Sequence, residues 1–316
     1  MKKALIFYIS LLVSVCSCKK EQVQKLATAP AVAKMSDTLK LNLADVVFPQ
    51  PLAAGAYRVI AGKAGISAAV DGNGSQARFL SPSAIFVNVD GSLLIADFRG
   101  NIRKLNYDTV VTTISFPADG GGNPFDGASD VASAGDGTIA AVDGHELWLV
   151  NGPNAFYSEN SGNIFSGIDR DPSGKTFWYT GKSELFQTIP LGGDQVPIVL
   201  TVGGTQDFKA ICTSNNGVKY FATSNKMFKY TKTGVSAPIF PGFSFTNITG
   251  ISSSRDGFKI YVADNGNIRA ISNNAKFPKE ITTVLTGQQV VGIALSNSEK
   301  YIYFTTAKNT VNKFAL

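Results

Sequence analysis

The chain has 316 residues, 44% of them hydrophobic and 16% charged, a balance that excludes a disordered chain and allows a sizeable buried core. Two charges of the formal net +6 sit at Lys2 and Lys3, and the rest are scattered with no run of five basic residues. That argues against nucleic-acid binding. In chain order, residues 1–17 read as a targeting segment: Lys2 and Lys3, then the apolar stretch "ALIFYISLLVSV", too short to span a bilayer comfortably. Residues 18–50 carry Pro30 and Pro49, show no sustained period and read as a tether.

The junction "CSCKK" resembles the lipobox of bacterial lipoproteins, in particular those of the Bacteroidota. Cys18 fits the lipidated position, with the small Ser17 before it and Val15 three positions upstream. Cys16 fits less well because Val15 is bulky at the cleavage site, and an ordinary cleaved secretory signal is the alternative. The resemblance implies a chain anchored by lipid in the cell envelope, facing the periplasm or the outside. With Cys18 acylated, Cys212 is left without a disulfide partner and reads as a small buried hydrophobe in an apolar run.

From residue 51 onward one pattern recurs. An apolar run, a turn pair such as Asp-Gly or Asn-Gly and a second apolar run appear six times, from "SAIFVNVDGSLLIAD" to "VGIALSNSEKYIYFTT". Turn pairs of this kind between strand-like runs are a strong hairpin signal. The equivalent aliphatics are Ile85, Val131, Ile168, Ile211, Ile251 and Ile293, a spacing of 37 to 46 residues. A third run follows in every copy and a fourth in all but the last. Four strands in about 42 residues is the signature of a β-propeller blade. The sixth copy lacks its fourth strand, and an unassigned run "YRVIAG" (57–62) precedes the first copy. The two irregularities answer each other. The expected fold is all-β: residues 51–316 as a six-bladed β-propeller, the strand at about 57–62 completing the last blade and closing a monomeric ring.

The first copy is similar to an NHL repeat. Gly65, Asp71, Gly72, Ala77, Phe79, Pro82, Asp90, Gly91, Ala96, Asp97, Asn101, Ile102 and Arg103 fall in that order, and the fifth copy keeps the second half from Asp256 to Arg269. The other copies keep only the strand pattern.

Several residues are candidates for chemistry. "DGNGSQARF" (71–79) looks like a calcium loop, but from Asp71 the positions needing Gly and Glu hold Gln76 and Pro82. It reads better as a connection between strands, with Ala77 and Phe79 packed between blades. No cofactor is expected, calcium being the one considered. Second strands end in Asp97, Asp143, Thr180, Ser224, Asp264 and Thr306, where a short polar side chain serves the following turn by bonding backbone N–H groups. Six-bladed relatives include lactonases and lyases that use calcium or several histidines. The single histidine here, His145, does not supply a histidine-rich metal site, and no catalytic residue is assigned. The loops joining fourth to first and second to third strands offer Arg78, Phe79, Arg99, His145, Lys182, Phe208, Lys226, Phe245, Asn247, Asn265 and Lys308. Together with Asp97, Asp143 and Asp264 they form a candidate binding face whose mixture of aromatic, basic and amide groups suits a protein or glycan partner. The expected role is therefore a membrane-anchored binding scaffold. The alternative is a calcium-dependent lactonase-like or lyase-like enzyme acting on a sugar-like substrate.

Overall fold

In the computed structural model the described residues are 51–97, 101–106, 110–118, 122, 124–159, 164–188, 200–201, 207–231, 233–235, 237–273 and 280–316. The segment and tether expected over residues 1–50, including Cys18, lie outside them, as does Arg99. The described chain is all-β, with antiparallel strands throughout and no helix among the described residues.

Alternation and turn chemistry explain the strands. In the first sheet, Pro82–Val87 pairs with Leu93–Asp97 across the Asp90-Gly91 turn, where Asp90 accepts bonds from the Ser92 N–H and hydroxyl and Gly91 adopts φ +83°. Ile102–Leu105 and Val110–Ile114 continue the sheet outward. The short strand Gly72–Asn73 pairs beyond them with Val110 and Val111, so the calcium-like stretch is in part a fifth strand. The next three sheets repeat the four-strand meander, with innermost strands Asp130–Ser133, Ile168–Arg170 and Ala210–Thr213.

The last two copies depart from the expected separation. A single strand, Ile281–Leu295, pairs with Gly266–Ser272 through its first half and with Tyr301–Thr306 through its second, fusing both copies into one seven-stranded sheet. Its sequence "TGQQV" between the halves carries no proline, and Gly287 and Gln289 take the bend at φ +74° and +54°. At the far edge of this sheet Tyr57–Gly62 pairs antiparallel with Thr310–Ala315, from Tyr57 opposite Phe314 to Gly62 opposite Thr310.

The core lies between sheets as well as within them. Ala61, Ala294 and Val311 of the seven-stranded sheet pack with Ala77, Phe79, Ile85 and Leu105 of the first. Trp148 joins Leu94, Ala96 and Ile102 across the next junction, and Trp178 and Leu185 meet Ile211, Phe221 and Phe228 across another.

Candidate functional site

The NHL-like residues form a buried electrostatic network. Asp97, fully buried, accepts from the N–H groups of Leu80 (3.0 Å) and Ser81 (2.7 Å) and from Arg103 Nη1 (3.3 Å). Arg103, also buried, reaches Asp71 with Nη2 (2.6 Å) and the Arg78 carbonyl with Nη1, over the Phe79 ring. Burial acts to raise Asp71, but its bonds from Thr113 and Arg103 win and hold it below the ordinary carboxylate range. Desolvation prevails at Asp97, whose pKa is raised. Asp264 repeats the scheme, accepting from the N–H groups of Thr246 and Asn247 and from Arg269 Nε at 2.6 Å. Both carboxylates therefore anchor the segment leading into the innermost strand rather than the turn into the third strand expected from sequence. Thr180 does the same with the Gly167 N–H, whereas Thr306 does serve the following turn, accepting from the Lys308 N–H.

This corrects part of the candidate binding face. Phe79, Phe208, Phe245, Asp97 and Asp264 are buried, the aromatics in inter-sheet cores and the carboxylates in these networks. They are buried away from a ligand, and each carboxylate already accepts three hydrogen bonds, one of them from an arginine. His145, Lys182, Lys226, Asn247, Asn265 and Lys308 are exposed, while Arg78 and Asp143 are half-buried, with Arg78 bonded to the Ser75 and Ala77 carbonyls. Burial, Asp126 and Glu146 together raise the pKa of Asp143. Among the described residues no group of three or more His, Cys, Asp and Glu is placed to hold a metal.

The structure gathers a different set of residues. The innermost strands of all six copies line one cavity of about 410 Å³. At one level stand Ser83, Ser129, Ser166, Lys209 and Thr249. At the next, immediately before each aligned aliphatic, stand Ala84, Asp130, Gly167, Ala210, Gly250 and Gly292. Small residues are needed there: a Cβ on Gly292 would stand 2.7 Å from Ala84 Cα, and one on Gly167 2.8 Å from Ala210 Cα. Asp130 is the exception, and its carboxylate crosses to the third sheet, where Oδ2 accepts from the Ile168 N–H at 2.9 Å. One step on, Asp169 accepts from the Thr213 N–H of the fourth sheet at 2.6 Å.

Both carboxyls line the cavity and are half-buried. Burial raises Asp130 to about 7, opposed by its two backbone bonds and reinforced by the charge of Asp169. Burial raises Asp169 to about 6. Arg170, Lys209 and Arg255 add positive charge and Glu299 negative to the same lining. Cys212 lies between Asp169 and Ser253; burial pushes its thiol far up, in keeping with an inert buried residue. Sequence reasoning missed Asp130 and Asp169. The signal was positional: Asp130 stands where the other repeats carry Gly or Ala, and Asp169 is the one charged residue where the others carry Phe86, Ala132, Cys212, Ser252 and Ala294.

Side chains around this cavity stitch neighbouring copies together. Ser83 donates to the Ala128 carbonyl, Arg170 to Ser133, Ser253 to Thr213, Thr249 to Val291 and Arg255 to Asn297. Asn297 in turn donates to the carbonyls of Asn88 and Val89 in the first sheet. A lining fixed in this way is preorganised, so a ligand entering it would not bear the cost of ordering it.

No family model matches the chain, and no curated protein matches it in sequence. Solved structures do. An auxiliary nutrient binding protein from Bacteroides thetaiotaomicron is 12% identical, with a TM-score of 0.62 over 81% of this chain and 75% of that one. The WD40 repeats of RRP9 are 11% identical, with a TM-score of 0.56 over 84% and 99%. A catalytically inactive histidine-to-alanine variant of virginiamycin B lyase from Staphylococcus aureus, with quinupristin, is 14% identical, with a TM-score of 0.54 over 83% and 100%. At these identities the likeness is one of fold, and that fold is propeller-like.

Proposed function

We propose that this chain is a cell-envelope lipoprotein whose six-bladed ring binds a ligand in its central cavity, and that the ligand is a carbohydrate. Six aligned innermost strands lining one cavity support the blade count. The Tyr57–Gly62 pairing and the Asn297 bonds back to the first sheet support closure. Cys18, after its small neighbour Ser17, is the proposed lipid anchor. Loss of fatty-acid labelling in Cys18→Ala would bear this out; labelling that persists would assign the anchor to Cys16 or elsewhere.

The observation that carries the ligand assignment is the chemistry of the lining. Serine and threonine hydroxyls, three carboxyls and three cationic groups surround about 410 Å³ on a rigid frame. A polyhydroxylated molecule can exchange water for such donors and acceptors at little cost, because concave sites fix orientation through a few placed polar groups. The nutrient-binding neighbour shares the fold and is compatible with this reading. The test is a glycan array followed by calorimetry on the purified chain and on a Ser129→Trp variant that places a bulky side chain in the cavity lining. Binding by the wild type that the variant loses is expected. Binding that survives in the variant would move the site to the outer loops.

One observation favours an enzyme as the second reading. Asp130 and Asp169 sit side by side in chain-order sheets with raised and different pKa values, an arrangement suited to acid–base work near neutral pH. Turnover of a bound sugar that vanishes in Asp169→Asn while binding persists would select it.

A further inference from the structure

A second, smaller cavity lies away from the central one and shares no lining residue with it. It encloses about 120 Å³ where the strand Tyr57–Gly62 and its partner face the first sheet. Its floor is apolar, made by Leu93 and Leu105. Its wall is a single row across three adjacent strands: Arg58 stands opposite Lys313, and Lys313 opposite Tyr303.

Two cations directly opposite one another on antiparallel strands repel and destabilise the pair. Each is half-buried, which adds a desolvation cost. Among the described residues no carboxylate forms an ion pair with either. Lys313 Nζ rests 3.8 Å above the Tyr301 ring and 5.7 Å from that of Tyr303. The aromatic faces fix the ammonium without neutralising it and leave N–H groups to point elsewhere. Burial and the charge of Arg58 both lower the pKa of Lys313. The arrangement is costly for the chain alone. It is the arrangement an oxyanion would relieve, because an arginine and a lysine that line one small cavity can offer charge-assisted bonds to both oxygens of a carboxylate or phosphate. The volume is that of roughly four liquid waters, sufficient for one such headgroup.

We infer that Arg58 and Lys313, with Asn106 at the rim, form an oxyanion site that takes a carboxylate or phosphate group of a ligand. The site tethers the N-terminal strand, since the anion would bridge that strand to its neighbour and hold both against the first sheet.

Inorganic phosphate and, separately, acetate are titrated into the purified full chain at constant ionic strength set by chloride. Tm and calorimetric heat are followed. A saturable rise of about 3 °C or more is expected with at least one anion, since an anion bound only by the folded state stabilises it by mass action. A response to phosphate alone assigns a phosphate-bearing ligand, and one to acetate a carboxylate. Arg58→Gln should abolish the saturable part and, without oxyanion, melt no lower than wild type, because the repulsion is gone. Lys313→Gln should do the same; if it fails to fold, Arg58→Gln on the edge strand decides between the outcomes. The inference is overturned if neither anion saturates or if Arg58→Gln keeps the wild-type response.

Discussion

Asp130 shows how one side chain can be both structural and titratable. Its neighbours in register are Gly or Ala because the innermost strands approach closely, and a carboxylate fits only by reaching across to the Ile168 N–H. Burial holds it at about 7 and Asp169 at about 6, against about 3.9 in an unfolded chain. Between those values the folded protein binds protons that the unfolded chain has released. This contribution is therefore complete below about pH 4 and is lost as the pH rises through 7. Asp97 and Asp143, also raised, act in the same direction. The lowered carboxyls, Asp71, Asp90, Asp136, Asp171 and Asp256, act in the opposite sense, but only in the more acidic range where they take up protons. The wild type should accordingly melt higher at about pH 5.5 than at about pH 8. Asp130→Asn, whose amide oxygen still accepts from Ile168, should flatten that profile and raise Tm at the alkaline end. Calorimetric melts at both pH values check this, and an unchanged slope in the variant would remove Asp130 from the account.

At the scale of elements, the closest contacts are made where sheets meet at their innermost strands. A methyl added at Gly292 would stand 2.7 Å from Ala84 Cα and 2.8 Å from the Ser83 carbonyl oxygen, backbone atoms that cannot swing aside. Gly292→Ala should therefore push the seven-stranded sheet off the first and cost about 2 kcal/mol or more. Gly250→Ala, with its nearest contact at 3.3 Å, should cost less. Urea melts of the two variants side by side test the ranking, and equal midpoints would mean that the junctions yield. The same contacts explain what the sequence disclosed. Hairpins were legible because Asp-Gly and Asn-Gly pairs impose local geometry: Asp90, Asp136 and Asp256 each bind the N–H two residues on. Phe208 and Phe245 were misplaced on a surface because a loop position does not reveal whether its side chain turns inward, whereas Phe79 packs between sheets as its repeat position suggested. The continuous strand Ile281–Leu295 was missed because two positive-φ positions bend it without a turn signal. Asp130 and Asp169 stayed hidden because cross-sheet proximity is a property of the assembled sheets, invisible along any one strand.

For the molecule as a whole, the decisive element is the one furthest in sequence from its partner. Tyr57–Gly62 pairs with Thr310–Ala315, and Gly55 N–H and Ala315 N–H extend the pairing to the ends of both strands. Without it, Thr310–Ala315 would present a row of unpaired N–H and carbonyl groups on a largely buried strand, a template for edge-to-edge association. Ala61 would also leave the cluster it forms with Phe79, Ala294 and Val311, opening the junction between the seven-stranded and first sheets. The oxyanion site would lose Arg58 at the same stroke. Such pairing is non-local and forms late, so a chain lacking it would expose the edge from the start of folding. Deleting residues 52–62 should thus cause aggregation that the intact chain does not show, read by size-exclusion chromatography with light scattering. The control is a chain carrying Val59→Ser, which alters an exposed side chain of the strand and should not aggregate. A deletion variant that does not aggregate, with an unchanged melt, would show that the last strand needs no partner and would refute closure.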